Sequence, residues 1–320
     1  MDIKFLKLLV DPFTKEELTL KNETIINSEI ESGLLVSKTN IYEITNGIPR
    51  FVSDDNYSEN FGWQWNKWST LQFEENNLNK PMEKHTSNMF FKITNWKSSD
   101  IENKYILDLG CGSGRFSDLI VSYKGIPILV DNSNAIDVAK NNLKSKTKNA
   151  VYIQCDILNL PFKDNVVDNA FSIGVLHHTP DPKKGVSEAY RVLKNNGSFA
   201  LSVYSKDSLY NFPIVHIWRK VFMTLKPVFG HAPAFFYSHF FGRMNFYISK
   251  IHRYLTYPIR LVFPTIVLKD IEWSVLDTFD AITTSYQSGH TFDELHDWFK
   301  NSNYINITDG SWGVNVIGKK

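Results

Sequence analysis

Five short apolar runs recur between Lys104 and Val203, and segments of helical periodicity separate most of them. The runs are Tyr105-Ile106-Leu107, Ile126 to Val130, Val151 to Gln154, Val167 to Ile173 and Ser198 to Val203. Helical patterns fill gaps between them, as at Ala135 to Leu143 and Ser187 to Leu193. Strands that read as near-continuous apolar runs are buried on both faces. Their alternation with helices therefore calls for a mainly parallel sheet sandwiched by helices. Beyond residue 272 the regular pattern resumes. Thr291-Phe292-Asp293-Glu294 has the form of a capping box opening a helix to about Lys300. Two strand-like segments follow, Tyr304 to Thr308 and Gly313 to Ile317, with a turn expected at Asp309-Gly310-Ser311, which predicts a terminal antiparallel hairpin.

The first run ends in Asp108-Leu109-Gly110-Cys111-Gly112-Ser113-Gly114 and leads directly into a helical pattern. Glycines there permit positive φ and close approach of the backbone to a ligand. In open α/β sheets, ligands bind beyond the carboxyl ends of the strands. The dinucleotide fingerprint G-x-G-x-x-G competes for this segment, but its sixth position is Arg115 here. Asp108, two places before the first glycine, would repel a pyrophosphate and attract the ammonium of an amino-acid cofactor. These charges favour S-adenosylmethionine (SAM) over a nicotinamide dinucleotide.

The loop resembles the first motif of class I SAM-dependent methyltransferases, and three further stations follow in that family's order. Asp131, with Asn132 beside it, ends the second strand; the resemblance implies that Asp131 bonds the ribose hydroxyls. Asp156 and Ile157 follow the third strand, where the family reads the adenine. Asp168 to His178 resembles the fourth-strand motif, so the backbone at Ile173 and Gly174 is expected near the methionine moiety. The implied cofactor residues are Asp108, Gly110, Cys111, Gly112, Gly114, Asp131, Asn132, Asp156, Ile157, Ile173 and Gly174. The implied fold is a Rossmann-like, doubly wound seven-strand sheet, and the product of the cofactor S-adenosylhomocysteine. His178 and His177 are candidate general bases, because imidazole titrates near neutrality; Tyr286 and His290 are further candidates for lining the pocket.

Upstream, Phe61 to Lys67 resembles the lead-in of a bacterial subgroup of these enzymes, which adds Gln64 and Trp65 to the cofactor candidates. Thr278-Phe279-Asp280 and His290 to Phe299 resemble that subgroup's C-terminal segment. The subgroup begins with a small zinc ribbon of two Cys-x-x-Cys knuckles. The matching positions here are Asp11, Thr14, Ser37 and Asn40, which lack the thiolates that hold such a zinc. Residues 1–55 are therefore expected to form a metal-free, degenerate β unit. The core would run over 56–204 and 271–320, with a linker-like start rich in Asn, Ser and Glu. Three tryptophans, Trp63, Trp65 and Trp68, need burial against the core or its ligand.

Residues 205–270 read as a mostly helical insert. Within 208–269 stand eight Lys or Arg (Arg219, Lys220, Lys226, Arg243, Lys250, Arg253, Arg260, Lys269) and no Asp or Glu, in a chain whose net charge is only +1. Aromatics crowd the same stretch, as in Phe235-Phe236-Tyr237. A lid over an anionic, partly apolar acceptor fits this composition: a small molecule, a sugar or a lipid-linked compound. Membrane-surface contact through 208–269 is an alternative use of the same residues. No recognisable nucleic-acid-binding module is present. With two cysteines, no signal-peptide pattern and no long apolar run, a cytoplasmic protein is expected, peripheral at the inner membrane face if the insert binds lipid. Two other classes use similar features: a non-catalytic SAM-binding partner protein and a nicotinamide-dependent oxidoreductase.

Overall fold

The computed structural model describes residues 1–53, 56–310 and 313–320. An antiparallel meander comes first: β1 (Thr19–Ile26), β2 (Glu29–Val36), β3 (Ile41–Thr45) and β4 (Ile48–Arg50). Helices α1 (Glu59–Lys67) and α2 (His85–Thr94) precede the alternating core. That core runs β5 (Tyr105–Leu109), α3 (Arg115–Ser122), β6 (Ile126–Asp131), α4 (Ala135–Leu143), β7 (Val151–Gln154), β8 (Val167–Ile173), α5 (Pro182–Val192) and β9 (Leu193–Val203). The insert contributes α6 (Pro213–Phe229), α7 (Ala232–Tyr237), α8 (Arg243–Ile251) and α9 (Thr256–Arg260). The chain closes with α10 (Ile271–Thr283), α11 (Phe292–Trp298), β10 (Tyr304–Gly310) and β11 (Gly313–Lys319).

Strands β5 to β9 pair in parallel in the order β7-β6-β5-β8-β9, and β11 and β10 add to β9 antiparallel. The mostly parallel core with a terminal antiparallel pair agrees with the expected fold class, within a sheet of eleven strands rather than seven. The direction of winding reverses between β5 and β8, which opens a crevice above their carboxyl ends. Thr291 and Glu294 cap α11 reciprocally, as their spacing predicts. The expected turn at Asp309-Gly310-Ser311 lies in part outside the described residues, since Ser311 does.

The N-terminal β unit joins the core sheet. β4 pairs in parallel with β7 at Arg50 and Gln154, so one sheet of eleven strands results. Arg50 secures the seam with a fork to Asp137, at 2.7 and 2.9 Å, and a bond to Gln154 at 2.8 Å. Phe5, Leu35, Tyr42 and Phe51 share one core with Ile128, Ile153 and Phe162. Burying that joint apolar surface removes it from water, and this drives the fusion.

At the tip of the unit, Asp11 is a buried hydrogen-bond hub. Its carboxylate accepts bonds from Ser37 Oγ (2.8 Å), Asn40 Nδ2 (2.8 Å), Tyr42 OH (3.2 Å), Phe13 N (2.9 Å) and Thr14 N (3.1 Å). Burial alone would raise its pKa, but these donors hold it down at about 2. Among the described residues no group of three His, Cys, Asp or Glu could hold a metal ion.

The linker-like stretch after residue 56 is ordered. Its polar side chains act as local caps: Glu74 accepts from Lys84 N and Ser87 N at the start of α2, and Asn77 bonds the carbonyls of Leu71 and Phe73. Such bonds compete with solvation, which composition alone does not reveal. Trp63 stacks on Phe279 of α10, and Trp68 packs against Phe235 of α7 and Phe279. Arg219 of α6 donates to the Ala281 carbonyl at 2.9 Å. The insert is thereby fastened to α1 and α10, over the crevice. Among the described residues no helix is long and apolar enough to cross a membrane.

Candidate functional site

The glycine loop closes the end of β5. Gly110 N and Cys111 N both donate to the Val130 carbonyl, and Gly112 N donates to Asp131 Oδ2 at 2.9 Å. A side chain fits at neither turn glycine. A Cβ on Gly110 (φ +79°) would lie 2.3 Å from Val175 Cγ1, and one on Gly112 (φ +52°) 2.7 Å from Trp65 Nε1. The other oxygen of Asp131 accepts from Ser133 N (2.8 Å) and Ser133 Oγ (2.7 Å). Burial raises the pKa of Asp131 despite these donors.

A cavity of about 670 Å³ opens above this loop, bounded by α1, the carboxyl ends of β5 and β8, the start of the insert and α10. Its volume suits a cofactor-sized ligand. Gln64 Oε1, Gln72 Oε1, Ser113 Oγ and Asn132 Oδ1 are buried in its wall without a hydrogen-bond partner among the described residues. Unpaired buried polar atoms are costly, so such a row marks a place where a ligand supplies the partners. Gly174 (φ +76°) meets open space where a Cβ would stand.

The structure brings Gln64, Trp65, Gly110, Cys111, Gly112, Asp131, Asn132, Ile157, Ile173, Gly174 and His178 to this cavity. It does not bring the other four candidates there. Asp108 lies beneath the loop and accepts from Ser117 Oγ at 2.7 Å; burial pushes its carboxyl up to about 7. Gly114 sits at the start of α3 against Leu143 and Ala139. Asp156 is engaged by the Tyr57 hydroxyl and Leu158 N, each at 2.9 Å. His177 is sealed in the protein, its ring 3.8 Å from that of Tyr204 and both nitrogens unpartnered; burial drives its pKa well below the ordinary value. Tyr286 lines no part of the cavity, but its carbonyl holds His178 Nδ1 at 3.0 Å, while His290 bonds Ser288 and Glu294.

The far end of the cavity is polar in a way the sequence reading missed. Arg115, Tyr204, Tyr210, Arg260, Asp277 and Asp280 all line it. Asp277 and Asp280 lie three apart on α10, so they share one face. Tyr210 OH donates to Asp277 at 3.3 Å, and Asp280 stands 4.0 Å from His178 Nε2. Burial and the neighbouring Asp280 push Asp277 up to about 7. The Arg115 guanidinium lies 4.4 Å from the Phe116 ring and 6.0 Å from that of Trp273. Arg115 was legible only as the residue that spoils a dinucleotide fingerprint. Asp280 stood inside a matched segment without a role, and nothing local marks Asp277.

Residues 107–201, which span β5 to β9, match the family model described as a methyltransferase domain. These residues are thus similar to a methyltransferase domain. Relatives of this domain include an uncharacterized protein of Methanocaldococcus jannaschii, 32% identical over 148 residues, which are 45% of this chain and 61% of the relative. The sterol 24-C-methyltransferase of Kluyveromyces lactis is 30% identical over 33% of this chain and 30% of its own. The ubiquinone biosynthesis O-methyltransferase of Coxiella burnetii is 30% identical over 33% of this chain and 46% of its own. The chain thus spans less than two thirds of each of these relatives. Among solved structures, a SAM-dependent methyltransferase from Aquifex aeolicus matches with TM-score 0.35 and 21% identity, covering 44% of this chain and 69% of that one. The matched residues include the glycine loop, Asp131, Asp156 and His178; α1, the insert and α10 lie outside them.

Proposed function

We propose that this chain transfers the methyl group of SAM to a nucleophilic atom of a small-molecule acceptor, bound between the glycine loop and the insert. The row of unpaired polar atoms in the wall of one cavity that also reaches His178 and Asp280 carries this reading. Asp131 would hold the ribose, Asn132 and Ile157 the adenine, and Gln64, Trp65 and Ser113 the wall facing α1. Arg115 offers a fork for the methionyl carboxylate. Asp108, though beneath the loop, favours the ammonium through the low-dielectric interior. When bound, SAM supplies a sulfonium-activated methyl group that leaves a neutral thioether behind.

The protein's share is then positioning, exclusion of water and removal of a proton. The Tyr286 carbonyl can only accept, so His178 carries its proton on Nδ1 and turns the Nε2 lone pair toward the cavity. Burial lowers the pKa of His178 while Asp280 raises it, which keeps the ring neutral at rest and steadies it once charged. His177 has no such path to the acceptor and takes no part in the proposal. We read the acceptor as anionic and partly apolar, a reading supported by Arg260 and by Leu209, Tyr210, Ile266 and Leu268 of the insert, which line the cavity.

The test uses SAM labelled in its methyl group with small-molecule and lipid extracts of the source cells. Label should pass to an acceptor, and His178→Ala should slow transfer about a hundredfold while SAM affinity stays unchanged. A protein that binds SAM yet labels nothing in any extract would contradict catalysis and favour a non-catalytic partner.

A further inference from the structure

A second chamber of about 500 Å³ lies beside the first, and His85, Arg260, Val267 and Leu268 line both. Three cations border it, Lys250 at the end of α8, Arg260 at the end of α9 and Lys269 before α10; no carboxylate does. Other cations of the insert are already engaged: Lys226 pairs with Glu59, Arg243 with Glu272, and Arg219 holds a carbonyl. None of the three chamber cations forms an ion pair with a carboxylate among the described residues. Lys250 rests 4.9 Å above the Phe246 ring. Arg260 is half-buried, and burial lowers its pKa. A half-buried guanidinium without a counter-charge is expensive, and it is the group best shaped to clasp two oxygens of a phosphate.

The two chambers differ in charge. The outer one is lined by cations and no carboxylate, whereas Asp277 and Asp280 line the inner one together with Arg115 and the shared Arg260. An acceptor that enters with its anion toward Lys250 and Lys269 would present its opposite, uncharged end to His178. Next in sequence to Lys250 and Arg260, Ile251 is 80% exposed and Leu261 69% exposed, so apolar side chains stand beside the cations in the chain.

We propose that the outer chamber is a phosphate site, which takes a phosphomonoester or phosphodiester group of the acceptor while the methyl-accepting atom lies in the inner chamber. This rests on the methyltransferase reading above, and it narrows the acceptor to a phosphate-bearing molecule methylated at the end remote from its phosphate.

The test is run on the full chain saturated with S-adenosylhomocysteine. Inorganic pyrophosphate is titrated calorimetrically, and vesicles of phosphatidylcholine with and without phosphatidylglycerol are sedimented with the protein. Pyrophosphate or phosphatidylglycerol vesicles should bind. The double variant R260Q/K269Q should weaken that binding at least about tenfold, whereas Lys220→Gln on the outer face of α6 should leave it intact. Binding to vesicles alone would assign the phosphate to a lipid headgroup; binding to pyrophosphate would assign it to a soluble phosphate ester. Binding of neither probe, an undiminished double variant, or an equal loss in Lys220→Gln would overturn the proposal. S-adenosylhomocysteine affinity in the same samples separates the two readings. Retained affinity with no phosphate binding sinks the phosphate site alone, and absent affinity sinks the methyltransferase reading beneath it.

Discussion

Asp108 and Asp131 stand at the ends of adjacent parallel strands and do different work. Asp131 bonds the loop amide of Gly112 and so ties β6 to the glycine turn, while Asp108 is buried with one hydroxyl donor and a carboxyl held near 7. An ammonium arriving nearby stabilises the Asp108 carboxylate and lowers its pKa, so binding must expel a proton wherever the free protein holds one. SAM affinity should therefore rise with pH up to about 7 and flatten above it, by up to about tenfold per pH unit on the rising limb. Calorimetry at pH 6 in buffers of different ionisation enthalpy should register a released proton. Asp108→Asn should abolish that release and weaken SAM, even though Asp277 also titrates near 7. The base His178 sets a second limb. It must be neutral to accept a proton, so transfer should fall as pH drops through a midpoint below the ordinary imidazole value. The glycine turn, Asp131 and His178, which line the cavity, were legible because they follow one another in a single strand-loop-helix rhythm; the burial of His177 was not. Arg115, Asp277 and Asp280 were not. Their meaning depends on how α10 crosses the crevice, and no local spacing records a crossing.

Among the elements, the meander β1 to β4 changes most between sequence and structure. Positions 11, 14, 37 and 40 carry no thiolate, and nothing local reveals that Asp11 gathers five donors, or that β4 adds to β7. Pairing across a hundred residues leaves no periodic trace in either partner. Asp11 is fully buried and its folded pKa lies below that of an unfolded aspartate, so its contribution is present above pH 4 and lost as pH falls toward 2. The shift corresponds to about 2 kcal/mol. Asp11→Ala, which also strands the Ser37, Asn40 and Tyr42 donors, should cost about 2–4 kcal/mol in urea or thermal unfolding at neutral pH. SAM affinity at a temperature where the variant is folded should not change, because no residue of the meander lines the cavity. Unchanged stability would show that the Asp11 hub does not hold this unit together.

At the scale of the molecule, one sheet serves two purposes. Its winding reversal between β5 and β8 creates the crevice, and the antiparallel β11–β10 pair lets α10 and the insert return over it. The doubly wound core was readable from the alternation of apolar runs, since burial on both faces forces that composition. The insert was readable as basic and aromatic but not as two chambers, because which cations become paired depends on α1 and α10. Everything above rests on SAM occupying the larger cavity. The most direct measurement is a calorimetric titration of purified protein with SAM and, separately, with NADH, repeated for SAM on Asp131→Ala. Micromolar SAM binding that collapses in the folded variant, with no heat from NADH, is the expected result. A folded, ligand-free protein that takes up no SAM, or that binds NADH in its place, would contradict it.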